Sequence, residues 1–218
     1  GNYGTCDAVD QRIAICQNKQ CGDDGCGGVC GTCSSGYSCQ SGSCVFNFDN
    51  SGRVLDLKFE NNFNDDSPMA NSFICSSYGC PSFISGFLQN NFAIFFNGIP
   101  VGFKSVDPSI NGFPSGNFNR SVSFWANASN VSPSAPETPF NYGRWNFNGQ
   151  VFAVVYAQST GQIYVSTRGG GVSYNSDATP DGYFDNQWHH IAVVHSPSSS
   201  FTKIYVDGIL KVTDNTPP

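Results

Sequence analysis

The chain has 218 residues, room for one sandwich-sized domain and a smaller companion. Ten Lys plus Arg stand against 16 Asp plus Glu, and the resulting net charge of −6 repels phosphate backbones, which argues against nucleic acid as a partner. Nineteen Phe, nine Tyr and 24 Gly among few helix formers predict an all-β chain, and no run approaches the roughly eighteen apolar residues of a membrane span.

Eight of the ten cysteines fall in the first 44 residues: Cys6, Cys16, Cys21, Cys26, Cys30, Cys33, Cys39 and Cys44. Apolar residues are scarce there, so a unit spanning residues 1–45 needs disulfide staples, each worth about 2–4 kcal/mol. Eight cysteines allow about 105 pairings, and spacing does not choose among them. Zinc is the rival chemistry, but only Cys30-x-x-Cys33 has ligand spacing, and no His lies near it. Asp23 and Asp24 sit in a Gly-rich turn, where solvated acids are common. Ten cysteines, together with a first residue that is Gly rather than Met, predict an oxidising compartment reached by secretion after removal of a signal peptide.

Residues 46–51 form the expected linker, and a second domain is expected over residues 52–218. "RVLDLKFE" alternates, with Leu55, Leu57 and Phe59 on one face, and predicts a half-buried strand. Cys75 and Cys80 are placed to close a small surface loop. "NFAIFFNGIPVGF" predicts strand, Asn97-Gly98 turn, strand. "RSVSFWANAS" puts Val122, Phe124 and Ala126 inward and Trp125 on the opposite face. Val151 to Tyr156, opening the hairpin "VFAVVYAQSTGQIYVSTRGGG", is apolar on both faces and so predicts a strand covered on both sides. "HHIAVVHS" and "FTKIYVDGILKVT" complete the strands, the latter a hairpin closed at Asp207-Gly208 by residues with positive φ. Three N-x-S sequons crowd into fourteen residues, at Asn119, Asn127 and Asn130, and mark expected N-glycosylation sites.

Two stretches carry resemblances. "CGDDGCGGVCGTC", continued by "CSSGYSCQSGSC", resembles a cysteine-rich repeat of secreted and surface proteins, which implies a spacer or adhesive module over residues 16–44. "LKFENNFNDDS", "AIFFNG", "SVSFW", "NQWHHIAVV" and "IYVDG", in that order, resemble the laminin G-like jelly-roll domain of the concanavalin A-like lectin and glucanase superfamily. The resemblance spans about residues 52–213 and implies two antiparallel sheets packed face to face. It also implies structural roles for Trp188, His189 and His190. Family members run on past the Y-V-D-G hairpin into strands that pair beside the first one, whereas here Val212-Thr213 leads into "DNTPP", and proline cannot donate to a ladder. The expectation is therefore a sandwich lacking its closing C-terminal strand, with an assembly edge at Leu55, Leu57 and Phe59. Three uncovered apolar side chains there forfeit about 5–9 kcal/mol, most of a domain's usual ~5–15 kcal/mol. Either further residues after Pro218 complete the domain, or a strand donated head to tail by a second copy fills the gap and propagates as a fibre.

Catalytic groups are not expected. The paired carboxylates of retaining glucanases lie on one strand about 5 Å apart, and the two Glu here, Glu60 and Glu137, stand in unrelated contexts. No G-x-S-x-G occurs. His189 and His190 are neighbours on a strand and point to opposite faces. Calcium is the one cofactor weighed, at Asp177, Asp181 and Asp185 or at Asp65 and Asp66, against solvated turns. Glycan contact is weighed at Tyr142, Arg144 and Trp145, against a core role for the same aromatics. The partners expected are copies of the chain and, alternatively, glycans bound by a calcium-assisted lectin module of a larger surface protein. A carbohydrate-binding appendage of an enzyme is a third reading. The location expected is extracellular.

Overall fold

The computed structural model describes residues 16–215 apart from residues 26, 36, 47–51, 89–90, 97–100, 107–109, 115, 117, 129–136, 144–150, 158–159, 170–171 and 176. The chain divides into two compact units, Gly1–Arg53 and Val54–Pro218. Cys6, Cys26, Asn130, Arg144, Trp145 and the Asn97-Gly98 pair lie outside the described residues.

The first unit is a hairpin tied by disulfides. Strands β1 (Tyr37–Gln40) and β2 (Ser43–Phe46) pair antiparallel, with Cys39 opposite Cys44. Ser41 and Gly42 turn the chain at φ 49° and 88°. The two opposed cysteines bond elsewhere, Cys39 to Cys21 and Cys44 to Cys33, while Cys16 bonds Cys30. Cys30 and Cys33 thus sit in separate disulfides, and no zinc site forms from them. Asp23 and Asp24 are turn pins, since their Oδ1 atoms accept from the Gly25 and Gly28 N–H groups at 2.7 and 2.8 Å.

The second unit holds twelve described strands: β3 (Phe73–Cys75), β4 (Ser82–Ser85), β5 (Phe92–Phe95), β6 (Phe103–Ser105), β7 (Arg120–Asn127), β8 (Glu137–Gly143), β9 (Val151–Ala157), β10 (Gln162–Gly169), β11 (Val172–Asn175), β12 (Trp188–Ser196), β13 (Phe201–Val206) and β14 (Ile209–Asp214). One sheet runs β11-β10-β9-β8 and the other β14-β13-β12-β7, all antiparallel. Their facing sides make the core: Phe152, Val154 and Tyr156 of β9 and Ile163 and Val165 of β10 meet Ile191, Val193, Ile204, Val206 and Val212. Val122, Phe124 and Ala126 of β7 pack against this core from the face their alternation predicts, and Trp125 stands outside. Val151 to Tyr156 are all buried, and Val151, Ala153 and Val155 form a second cluster on the far face of the same strand. Helix is confined, among the described residues, to one 3₁₀ turn at Pro197–Ser199. Asp207 and Gly208, at φ 52° and 77°, close the last hairpin as expected.

Residues 54–118 depart from expectation. Val54–Phe59 is no strand: Leu57 makes a single bridge to Asp65, and Phe59 and Asn61 turn to φ 58° and 56°. A carboxylate has replaced the neighbouring strand, for the Asp56 N–H donates to Asp65 Oδ1 at 2.8 Å. Leu55, Leu57 and Phe59 therefore do not form a sheet edge, and the assembly edge assigned to them is corrected. Leu55, Leu57 and Phe59 are each half-buried, and Phe59 joins a ring cluster with Phe63 and Phe103 that Phe73 and Phe83 extend. Strands β5 and β6 do form, but not as a hairpin with each other: β5 pairs with β4 and β6 with β3, in separate two-stranded ribbons. Cys75 and Cys80 are bonded and close the small loop between β3 and β4.

Candidate functional site

Acids and histidines of the second unit are mostly committed to the scaffold. Asp65 accepts from three backbone N–H groups, those of Asp56, Ser67 and Asn71, and from the Asn71 amide. Burial alone raises its pKa, but those backbone donors outweigh it and hold the carboxyl below its usual value. Asp66 pairs with Lys58 at 2.8 Å on the surface. Glu60 accepts the Phe92 N–H at 3.1 Å.

The three aspartates weighed for calcium are not gathered. Asp181 pairs with Lys211 at 3.2 Å, Asp185 with His189 at 3.1 Å, and Asp177 stands exposed. Among the described residues, one group of three potential ligands has its donor atoms within 4.8 Å of one another, and it is Cys21, Cys33 and Cys39, all in disulfides. A lysine 30 residues away has claimed Asp181, and a histidine four residues on has claimed Asp185.

His189 is held between Asp185 and Asp207, with Nδ1 2.8 Å from Asp207 Oδ2. Burial would lower its pKa, but the bonds to Asp207 and Asp185 prevail and raise it. Asp207 also accepts the His190 N–H at 2.9 Å, so one turn residue fastens the start of β12 from both sides. His195 lies in the core, its Nδ1 2.9 Å from the Thr202 hydroxyl. Burial, helped by the charge of Arg120, pushes it down to about 4, so it is neutral at physiological pH.

Tyr142 is not an exposed stacking platform. It lies in β8 with its ring against Phe152 at 5.7 Å and Phe113 at 5.1 Å. Its hydroxyl accepts from Arg120 Nη1 at 2.7 Å and donates to the Pro114 carbonyl at 3.1 Å. The glycan contact assigned to it is corrected: strand parity turns it to the core. Arg120 binds the Gly116 and Phe118 carbonyls as well, tying the entry of β7 to β8.

Three surface features remain. An open cleft of about 560 Å³ is lined by residues that include Phe63, Phe73, Asn62, Asn64, Asn71 and Asp65. The β4·β5 ribbon exposes Ile84, Phe92 and Phe95 at 42%, 43% and 45%, and among the described residues neither of its outer edges is paired. On the outer face of the β7 sheet, Phe87 stacks on Trp125 with centroids 4.4 Å apart at 15°, beside Trp188 and His190. Sequence alone does not bring these rings together. The alternation that put Trp125 outside was the one signal of the patch, since Phe87 joins from 38 residues away. Of the sequon asparagines described, Asn119 and Asn127 are both exposed. Asn119 Oδ1 accepts from Ser196 and Ser198, and Asn127 Nδ2 donates to the Asn186 carbonyl at 3.1 Å. Among the described residues no helix is long and apolar enough to cross a membrane.

A sequence profile described as the concanavalin A-like lectin/glucanases superfamily matches residues 101–218. Among solved structures, the chain is similar to Domain 4 of AbnA, a GH43 extracellular arabinanase from Geobacillus stearothermophilus, in complex with arabinotriose. The identity is 19% over 75% of this chain and 71% of that one, with a TM-score of 0.48. No curated protein matches the chain.

Proposed function

Because the chain belongs to the concanavalin A-like lectin/glucanases superfamily, we propose that it is a non-catalytic extracellular structural or adhesive protein whose jelly roll joins copies of itself into a fibre or matrix. The observation that carries this reading is the β4·β5 ribbon, unpaired on both outer edges among the described residues and exposing Ile84, Phe92 and Phe95. A two-stranded ribbon is marginal alone in water, and open edges with apolar faces recruit further strands. A neighbouring copy supplies them. Its β7, an edge strand among the described residues, is best suited, being eight residues long and regular in its pairing to β12, whereas β14 is blunted by a bulge beside Ile204/Tyr205. Pairing a ribbon on one copy with β7 on the next is a heterologous contact, and it propagates unless it closes into a ring. The disulfides support an oxidising, extracellular setting. A non-catalytic role is supported by the engagement of Asp65, Asp185, Asp207 and Glu60 in scaffold bonds.

Sedimentation and negative-stain imaging of the purified chain test the proposal. Elongated assemblies are expected, and Ile84→Asp with Phe95→Asp is expected to leave a folded monomer. A wild type that stays monodisperse and monomeric at all concentrations overturns it.

A second reading, glycan binding, is favoured by the cleft, which sets the rings of Phe63 and Phe73 beside the amides of Asn62 and Asn64. A glycan array probed with and without chelator tests it. Chelator-insensitive, sugar-specific signals lost in Asn64→Ala support this reading, and a blank array counts against it.

A further inference from the structure

The Phe87–Trp125–Trp188–His190 patch lies on the same sheet face as Asn127, and we infer that an N-linked glycan on Asn127 folds down over these rings and covers them. Asn127 is the last residue of β7, and Trp188 is its direct partner across the ladder. Directly opposed residues hold their Cβ atoms about 4.5–5.5 Å apart on one face, so a sugar grown from Asn127 rises beside the Trp188 ring. Trp125 precedes Asn127 by two residues on that face and is 49% exposed, as is Phe87, which stacks on it. His190 stands opposite Trp125, 5.2 Å between centroids.

Exposed stacked aromatics are costly in water, and the C–H face of a pyranose is a shape and polarity match for them. A tethered sugar reaches them at an effective concentration of order millimolar, an advantage no free partner has. The attachment chemistry fits the site. Asn127-Ala128-Ser129 is a sequon and Asn127 is exposed. In the transfer, Nδ2 bonds to the anomeric carbon of a lipid-pyrophosphate-linked oligosaccharide. The carbon–oxygen bond to the pyrophosphate breaks, the lipid pyrophosphate leaves, and Nδ2 gives up one proton. One N–H remains on Nδ2 as a donor for the Asn186 carbonyl, 3.1 Å away. The inference rests on the extracellular reading above, because only a secreted chain meets that donor.

The test uses the full chain secreted from a eukaryotic host. Peptide mass analysis reads occupancy at Asn119, Asn127 and Asn130, and acrylamide quenching of tryptophan is compared before and after enzymatic glycan removal from the folded protein. Ser129→Ala serves as a second unglycosylated form that keeps the Asn127 amide. Asn127 is expected to be occupied, and quenching is expected to rise about twofold on removal and equally in S129A, since two of the three Trp stand in the patch. If Asn119 or Asn130 carries sugar and Asn127 none, the inference falls while the extracellular reading stands. If all three are bare, the inference falls, and the extracellular reading, which stands on the disulfides, is left to its own test. If Asn127 is occupied and quenching does not change, the glycan does not cover the rings and the inference is overturned.

Discussion

Acid should destabilise the jelly roll through His195, and the effect can be isolated by substitution. The side chain is 4% exposed among core rings, with Phe152 5.6 Å away, and its pKa stands at about 4 against the usual 6.5. The unfolded chain takes up a proton as pH falls through 6.5, whereas the folded chain resists until about 4. The stability conferred by a neutral imidazole is therefore complete above 6.5 and is lost between 6.5 and 4. At about pH 4.5 the two pKa values give a loss of about 2.5 kcal/mol from this one group. Other titrating groups, such as Asp65 and the His189 pairs, contribute to both wild type and variant and cancel in the comparison. The assay is urea unfolding of wild type and His195→Gln at about pH 7.5 and pH 4.5, followed by tryptophan fluorescence. All three Trp lie in the second unit, so the signal reports that unit alone. Wild type is expected to lose about 2.5 kcal/mol more than the variant across this interval. Equal losses in the two proteins would refute the placement of a neutral, desolvated imidazole in the core.

Ile204→Ala, which opens a hole where the two sheets meet, is expected to cost about 2–5 kcal/mol in thermal or denaturant unfolding. Asp65→Ala leaves the N–H groups of Asp56, Ser67 and Asn71 without their acceptor and is expected to cost about 3 kcal/mol, with amide exchange accelerating at those three positions first. Because the folded pKa of Asp65 is depressed, its contribution is present above the usual carboxylate value and is lost as pH falls through the folded one. Reduction under native conditions is expected to unfold residues 16–46, which lean, among the described residues, on three disulfides worth about 2–4 kcal/mol each, while the tryptophan spectrum of the second unit persists. Limited proteolysis confined to the first unit after reduction checks this, and loss of both units together counts against it.

The resemblance to cysteine-rich and laminin G-like modules was carried by local signals that survive in the structure. Strict alternation in "RSVSFW" determined which side of β7 meets the core. Six apolar residues in a row determined that β9 is covered on both faces, and Asp207-Gly208 determined the turn of the last hairpin. Each is a property of a few adjacent residues, fixed by the two-residue period of a strand or by the φ a turn demands. "RVLDLKFE" carries the same alternation yet is no strand, because strandhood also needs a neighbour, and the Asp65 carboxylate took that place. Partner choice was likewise beyond local pattern. Asp181, weighed for calcium, went to Lys211 across 30 residues, Tyr142 went to Arg120 and the core, and Phe87 met Trp125 across 38 residues. Periodicity states which way a side chain faces, but contacts between distant segments are decided by how the whole chain packs, and only the tertiary structure holds that information.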